Sequence, residues 1–178
     1  RRRREKVEGQ QRQWDAKHAE TLEYVSTHVR IDNPDGKKIF WKPPFPDDVK
    51  SSDLTLYRYE QAVIRNPEAV VVISEGEPAT DALATVEKEL GVAAVGTVTG
   101  ASTIPGDAAL SILDGRTVIL WPDNDAPGRK HMLDVATRLN HLGCAQISMI
   151  NWTGAPPRGD AADALEHSRH VEDAGEQH

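Results

Sequence analysis

Residues 69–77 read AVVVISEGE. The first five form an uninterrupted apolar run rich in β-branched residues, which is typical of a strand buried on both faces. Polar residues begin at Ser74 and include two carboxylates, Glu75 and Glu77. The stretch therefore predicts a central strand of a parallel sheet. Its acidic residues follow the carboxyl end of that strand, which is where sites form in open α/β sheets.

The chain beyond this strand alternates between helical and strand patterns. The predicted elements are a helix over 78–90, a strand over 92–98, a short helix over 106–113, a strand over 117–121, a helix over 127–142, a strand over 145–150 and a last helix from near residue 160. Such alternation predicts an α/β fold with about four parallel strands flanked by helices.

The chain before this strand has a different composition. Residues 1–26 are rich in Glu, Gln, Arg, Lys and Ala and lack proline, so we expect a helix there. Residues 27–31 and 37–42 predict a β-hairpin around the turn sequence NPDG, and prolines in 43–53 indicate a linker. A further short helix is predicted over 56–65. The predicted division is an N-terminal helix, hairpin and linker (1–55), an α/β domain (56–167) and a polar tail (168–178).

Composition limits the class of protein. The 178 residues include one cysteine, Cys144, so neither a disulfide nor a cysteine zinc site can form within the chain, and we expect no zinc. No apolar run approaches the ~20 residues that span a bilayer, and no signal peptide is visible, so we expect a cytoplasmic protein without membrane contacts. The chain begins with Arg1 rather than methionine, and we expect it to be part of a longer protein.

Charge is distributed unevenly along the chain. Residues 1–66 hold 14 Lys and Arg against 11 Asp and Glu, whereas residues 67–178 hold 7 against 17. A basic surface for nucleic acid could therefore come only from the N-terminal third. The acidic remainder suits either a cation-binding site or a solvated acidic surface.

Carboxylates follow three of the four predicted strands. Glu75, then Asp123 and Asp125, then Asp160 come at or beyond strand ends that should meet at one edge of the sheet. Repulsion between clustered carboxylates is relieved by a hard divalent cation, and Mg²⁺ prefers oxygen ligands. Solvated loop acids are the alternative, and Asp160 also stands where a helix N-cap is expected.

The same residues carry a resemblance to a known family. EGEPATDAL (75–83), PDNDAPGR (122–129) and GDAADAL (159–165) resemble the motifs of the Toprim domain, in the version of phage and plasmid primases and primase–helicases. The resemblance covers roughly residues 56–166. It implies a Toprim-like Rossmannoid α/β fold, to which this chain adds the predicted N-terminal helix and β-hairpin.

The resemblance also implies roles for individual residues. Glu75 would be the catalytic glutamate, as acid/base or metal ligand, while Asp123 and Asp125 would be catalytic and bind Mg²⁺ or Mn²⁺. Asp160 would help to hold a second ion. Further candidates for nucleotide or nucleic-acid contacts are Gly76, Glu77, Arg129 and Lys130.

The function implied is a primase-type nucleotidyltransferase that makes primers on single-stranded DNA in the replication of a phage, plasmid or other mobile element. Its partners would be template DNA, nucleoside triphosphates and a replicative helicase in cis or in trans. Two alternatives remain open: a Toprim nuclease that cleaves DNA, and a non-catalytic Toprim module that binds DNA or a partner protein.

Overall fold

The computed structural model describes residues 9–175 and contains two sheets. The strands are β1 (Gln10–Lys17), β2 (Tyr24–Asn33), β3 (Gly36–Lys42), β4 (Val70–Glu75), β5 (Val92–Thr97), β6 (Thr117–Trp121) and β7 (Gln146–Met149). The helices are α1 (Gly76–Ala84), α2 (Glu87–Leu90), α3 (Asp107–Leu110), α4 (Ala126–His141) and α5 (Ala161–Gly175).

The four-stranded sheet is parallel, with strand order β5-β4-β6-β7, so the predicted α/β architecture is confirmed. Its central strand β4 is buried on both faces. Val71 and Ile73 share one core cluster with Val135 and Leu139 of α4. Val72 lies on the opposite face in a second cluster, with residues of α1 and α5. An uninterrupted apolar strand is therefore needed, because helices cover both sides of the sheet.

The three-stranded sheet is antiparallel, with strand order β1-β2-β3. The predicted hairpin is confirmed as β2 and β3, paired from Thr27–Lys42 to Asn33–Gly36. The linker then returns the chain to the parallel sheet, where Tyr57 forms a bridge to Gly96 of β5. This connection brings the small sheet beside the carboxyl edge of the large one.

The helix predicted over 1–26 is wrong where the structure describes it. Residues 10–17 form β1, while residues 1–8 lie outside the described residues. Trp14 and Ala16, two positions apart, are buried on one face of this strand, and a spacing of two is the period of a strand. Pairing with β2 thus overrides the helix-favouring composition, since propensity is a weak constraint next to tertiary contacts.

Smaller differences concern lengths. The helix predicted over 56–65 is reduced to one π-helical turn, Glu60–Ile64, and the helix over 78–90 is divided into α1 and α2. Helix α5 extends to Gly175, into the segment assigned to a polar tail.

Among residues 9–175, no helix is long and apolar enough to cross a membrane.

Candidate active site

A cleft with a volume of about 630 Å³ lies between the two sheets. One side consists of the predicted acidic residues at the edge of the parallel sheet, and the other consists of side chains from β1, β2 and β3. The acidic lining residues are Glu75, Glu77, Asp123, Asp125 and Asp160. The lining residues from the small sheet are Trp14, His28, Arg30, Lys37, Ile39 and Trp41. The structure therefore gathers the predicted acidic site residues in one cleft, with cationic and aromatic side chains facing it.

Glu75 is the last residue of β4 and is 8% exposed. Its Oε1 accepts a hydrogen bond from the backbone N–H of Asp123 at 3.1 Å. Gly128 makes this approach possible, since a Cβ there would lie 2.6 Å from Oε1 of Glu75. Gly76, directly after Glu75, has φ +73°, a left-handed conformation that glycine adopts at little cost and that turns the chain into α1.

Asp123 and Asp125 follow β6 and lead into α4. Oδ1 of Asp125 accepts from the backbone N–H of Gly128 at 2.8 Å, so Asp125 is the N-cap of α4. Asp160 has the corresponding role for α5, because its Oδ1 accepts from the backbone N–H of Ala162 at 2.7 Å. Capping engages one oxygen of each carboxylate, which leaves the second oxygen of Asp125 and of Asp160 for other ligands.

The carboxylates influence one another's protonation. Burial raises the pKa of Asp123 to about 7, and the charges of Glu75, Asp160 and Asp125 act in the same direction. The pKa of Glu75 is also raised, mainly by burial, although the hydrogen bond from Asp123 opposes the shift. Within the described part of the chain, no three Asp, Glu, His or Cys side chains are arranged to hold a metal ion together. Several carboxylates therefore line the cleft, but no three of them are already positioned as ligands of one metal ion.

Glu77 lies at the junction of the two sheets and is 3% exposed. Its Oε1 is 2.6 Å from Nδ1 of His28, whose ring stacks on Trp41 with 4.4 Å between the ring centroids. Trp41 also contacts Phe45 on the linker, so both neighbours fix this indole in place. Glu77 therefore joins α1 to the antiparallel sheet.

Asp81, one turn further along α1, forms a second junction. Its carboxylate accepts from Nε1 of Trp14 at 2.9 Å and from the hydroxyl of Tyr57 at 2.7 Å. Burial and the hydrogen bond to Asp81 raise the pKa of Tyr57, so the phenol remains a donor. Together with Glu77, this residue orients the small sheet over the carboxyl edge of the large one.

Asn124, between the two aspartates, was not among the predicted site residues. Its side-chain amide donates to the carbonyls of Ala155 and Pro156, both at 2.9 Å. Its backbone N–H donates to Gly159 O, and its carbonyl accepts from the N–H of Arg158. Asn124 therefore fixes the loop that ends at Asp160. A polar residue within an Asp-x-Asp pattern gives no sequence signal for such distant partners.

Arg129 and Lys130, the predicted basic contacts, are not among the residues that line the cleft. Nη1 of Arg129 donates to Oδ1 of Asn124 at 2.9 Å, which orients the asparagine amide. Lys130 is exposed and pairs with Asp134 one turn along α4. Their contacts with nucleotide or nucleic acid stay predictions.

The comparisons with known proteins give structural matches only. No protein-family model matches the chain, and no curated protein matches its sequence. The primase fragment of the bacteriophage T7 primase-helicase protein is 17% identical with a TM-score of 0.60, and the match covers 93% of this chain and 62% of that one. A primase domain from Pseudomonas aeruginosa is 18% identical with a TM-score of 0.61, covering 91% of this chain and 49% of that one.

A third match is a chain of the bacteriophage T7 lagging-strand DNA polymerase assembly with primase domains bound to an RNA/DNA hybrid and dTTP. It is 19% identical with a TM-score of 0.60, and the match covers 97% of this chain and 79% of that one. This chain thus spans about half to four fifths of the length of these structures. At such identities the likeness concerns architecture, and it shows that the chain has a primase-type fold.

Proposed function

We propose that residues 56–167 form the Toprim catalytic domain of a primase. The proposed reaction is primer synthesis on single-stranded DNA in the replication of a phage, plasmid or other mobile element. One observation supports this above all: acidic residues from three separate strand ends line one cleft within a primase-type fold. A polymerising site must hold a template, a triphosphate and divalent cations together, and clustered carboxylates are suited to the cations.

The acidic residues suit Mg²⁺ or Mn²⁺ in their chemistry. Carboxylates are hard oxygen ligands, and Mg²⁺ is commonly bound by one or two of them together with water and substrate phosphates. Burial and neighbouring acids raise the pKa of Asp123, and a bound cation would favour its charged form. Asp123, Asp125 and Asp160 would be the protein ligands, with Glu75 beside them through its hydrogen bond with the backbone of Asp123. When bound, the ions supply polarisation of the phosphoryl oxygens and stabilise developing charge.

Glu75 is the candidate acid/base. Burial raises its pKa, which makes the carboxylate a stronger base than an exposed glutamate. Its Oε1 is fixed by the N–H of Asp123, so the carboxylate is oriented before substrate arrives. In primer synthesis this group would receive a proton from the attacking 3′-hydroxyl as the oxygen bonds to the α-phosphorus and pyrophosphate leaves.

The proposed partners follow from the reaction. Template DNA and nucleoside triphosphates would enter the cleft, with cationic side chains of the small sheet near the phosphates. One structurally similar protein is the primase fragment of a primase-helicase, and another belongs to an assembly with an RNA/DNA hybrid and dTTP. We therefore include a replicative helicase, in cis or in trans, among the proposed partners, while the cytoplasmic location remains a proposal from the sequence.

A primer-synthesis assay tests the proposal. The protein is incubated with labelled ribonucleotides, single-stranded templates and Mg²⁺ or Mn²⁺, and the products are separated by size. Short template-dependent products are expected. Degraded DNA without products would instead indicate the nuclease, and retained DNA with neither result would indicate a binding module.

A matched pair of double variants assigns the activity to the cleft. Asp123→Asn with Asp125→Asn should abolish synthesis, and the helix cap is retained because asparagine also caps helices. Asp107→Asn with Asp134→Asn removes the same charge from residues that lie outside the cleft, where Asp107 pairs with Arg138, and should retain activity. Equal activity of the two double variants would reject the assignment.

A further inference from the structure

Strand β3 forms an open edge of the antiparallel sheet. The strand order is β1-β2-β3, and among residues 9–175 no strand pairs with β3 on the side opposite β2. In an antiparallel pair, every second residue directs its backbone N–H and C=O groups away from the neighbouring strand. The open edge of β3 therefore presents a row of hydrogen-bonding groups with which another extended segment can pair.

Large apolar side chains are accessible on this strand. All of its residues except Trp41 are exposed, and the accessible fractions of Phe40 and Ile39 are 41% and 47%. Ile39 and Trp41 line the cleft. Because side chains alternate along a strand, Lys38, Phe40 and Lys42 lie on the opposite face, which we call the outer face. The outer face of β3 thus carries one aromatic ring between two cations.

The two lysines of the outer face make pairing between copies of this chain unfavourable. Within residues 9–175, neither Lys38 nor Lys42 forms an ion pair. In a twofold pairing of two copies centred on Phe40, Lys38 of each would lie opposite Lys42 of the other. Like charges directly opposite one another destabilise a pair of strands, whereas opposite charges stabilise it. The charge of the outer face therefore disfavours a second copy and favours an acidic strand.

We infer that β3 binds an acidic, extended segment of a partner protein as a fourth strand of the antiparallel sheet. Backbone hydrogen bonds with the open edge supply affinity in this mode of binding, and side chains at alternate positions supply specificity. The order lysine, phenylalanine, lysine on the outer face fits an acidic, an apolar and an acidic residue at alternate positions of the partner. Repulsion of basic strands adds to the selectivity. The outer face lies away from the cleft, so the interaction is independent of the proposed catalysis.

A single-stranded nucleic acid is the main alternative for this surface. Its phosphates would also be attracted by Lys38 and Lys42, and a base could stack on Phe40. It would leave the backbone groups of the open edge unpaired, however. A peptide strand pairs with the edge and contacts the ring and both charges at once, so the observations favour a peptide.

Isothermal titration calorimetry with a synthetic peptide tests the inference. The blocked peptide matches the seven residues of β3 in length and has glutamate, valine and glutamate at its second, fourth and sixth positions, with threonine elsewhere. A saturable one-to-one complex is expected. A peptide with lysine in place of both glutamates has the same length and should bind about tenfold more weakly, because both ion pairs are replaced by repulsion.

Two N-methylated versions of the acidic peptide test whether it pairs as a strand. One version is methylated on the amides of its even-numbered positions, and the other on those of its odd-numbered positions. In a strand paired with β3, only one of these sets donates hydrogen bonds to the open edge. One version should therefore lose binding while the other retains it. Equal binding of both versions would overturn the inference, since attraction between charges alone does not depend on which amides are free.

Protein variants assign the binding to the outer face. Lys38→Gln with Lys42→Gln should raise the Kd of the acidic peptide about tenfold, as expected for the loss of two exposed ion pairs. Arg65→Gln with Lys88→Gln removes the same charge from exposed positions outside the antiparallel sheet and should leave Kd unchanged. Equal Kd values for the two double variants would overturn the assignment.

The other occupants of the surface give different results. If the wild type does not bind the acidic peptide, the inference is overturned. Binding of a single-stranded oligonucleotide that depends on Lys38 and Lys42 would in that case indicate a nucleic-acid surface. Sedimentation of the protein as a dimer, again without peptide binding, would indicate that a second copy pairs with β3.

Discussion

Nδ1 of His28 lies 2.6 Å from Oε1 of Glu77. This contact joins the antiparallel sheet to α1, the helix that follows β4. Both side chains are largely buried, at 12% and 3% exposure. A buried carboxylate is costly unless it is hydrogen-bonded, so this contact fixes the orientation of the small sheet. The sequence suggested Glu77 as a nucleotide contact, but in the structure its carboxylate contacts the His28 ring.

Removal of this junction should destabilise the fold. Glu77→Ala leaves the His28 ring without its partner and opens a small cavity, so we expect a loss of about 2–3 kcal/mol in the free energy of unfolding, measured by urea denaturation. Glu89→Ala, at an exposed position of α2, should change it by less than about 0.5 kcal/mol. A loss for Glu77→Ala as small as that of the control would show that the junction contributes little.

Gly128→Ala should reduce primer synthesis by about tenfold or more. The added methyl would lie 2.6 Å from Oε1 of Glu75 and 3.0 Å from Cβ of Asp123, so one of the two residues must move. Overpacking of this kind costs about 1–3 kcal/mol of stability. Thr137→Ala, at an exposed position of the same helix, serves as the control in the same assay. Full activity of Gly128→Ala would mean that the position of Glu75 is not critical.

The raised pKa of Asp123 predicts that stability depends on pH in metal-free buffer. Its pKa is raised from 3.8 to about 7, so between those values the folded state holds more protons than the unfolded state. Stability should therefore fall as pH rises from about 4 to about 7. Asp123→Asn should remove much of this fall and be more stable than the wild type at pH 8 by about 1–2 kcal/mol, allowing for partial solvent screening. If Asp123→Asn and the wild type show the same change in stability between pH 5 and pH 8, the raised pKa of Asp123 is contradicted.

The burial of His131 predicts the opposite trend, a loss of stability at mildly acidic pH. It is 3% exposed on the buried face of α4, and neither ring nitrogen has a hydrogen-bond partner among the described residues. Burial lowers its pKa below the usual 6.5, although the nearby Asp134 opposes the shift. Protonation therefore favours the unfolded state, and this contribution to stability is lost as pH falls below about 6.5.

The variant His131→Leu tests this contribution. Between pH 7.5 and pH 5, its melting temperature should fall less than that of the wild type, because leucine has no proton to gain. His141→Leu, at an exposed position of the same helix, should follow the wild type. If His131→Leu and the wild type show the same change between the two pH values, His131 does not contribute to the acid sensitivity.

The sequence predicted those features that depend on local pattern. The β-branched run before Glu75 indicated the central strand, and Asp123 with Asp125 could be placed at a strand end because a short apolar run precedes them. The strand around Trp14 was missed, since one aromatic residue two positions from an alanine is a weak strand signal within a helix-favouring composition. The partners of Asn124 and the left-handed conformation of Arg158 arise from contacts between distant segments, which no local pattern records.

The proposed divalent-cation site at Asp123, Asp125 and Asp160, with Glu75 beside them, is tested most directly by Mn²⁺ binding measured by electron paramagnetic resonance. In a titration of the nucleotide-free protein, the wild type should reduce the signal of free Mn²⁺ with a saturable stoichiometry. Glu75→Gln and the double variant Asp123→Asn with Asp125→Asn should each lose that binding, whereas Asp107→Asn with Asp134→Asn should retain it. Equal Mn²⁺ binding by all four proteins would contradict the shared site.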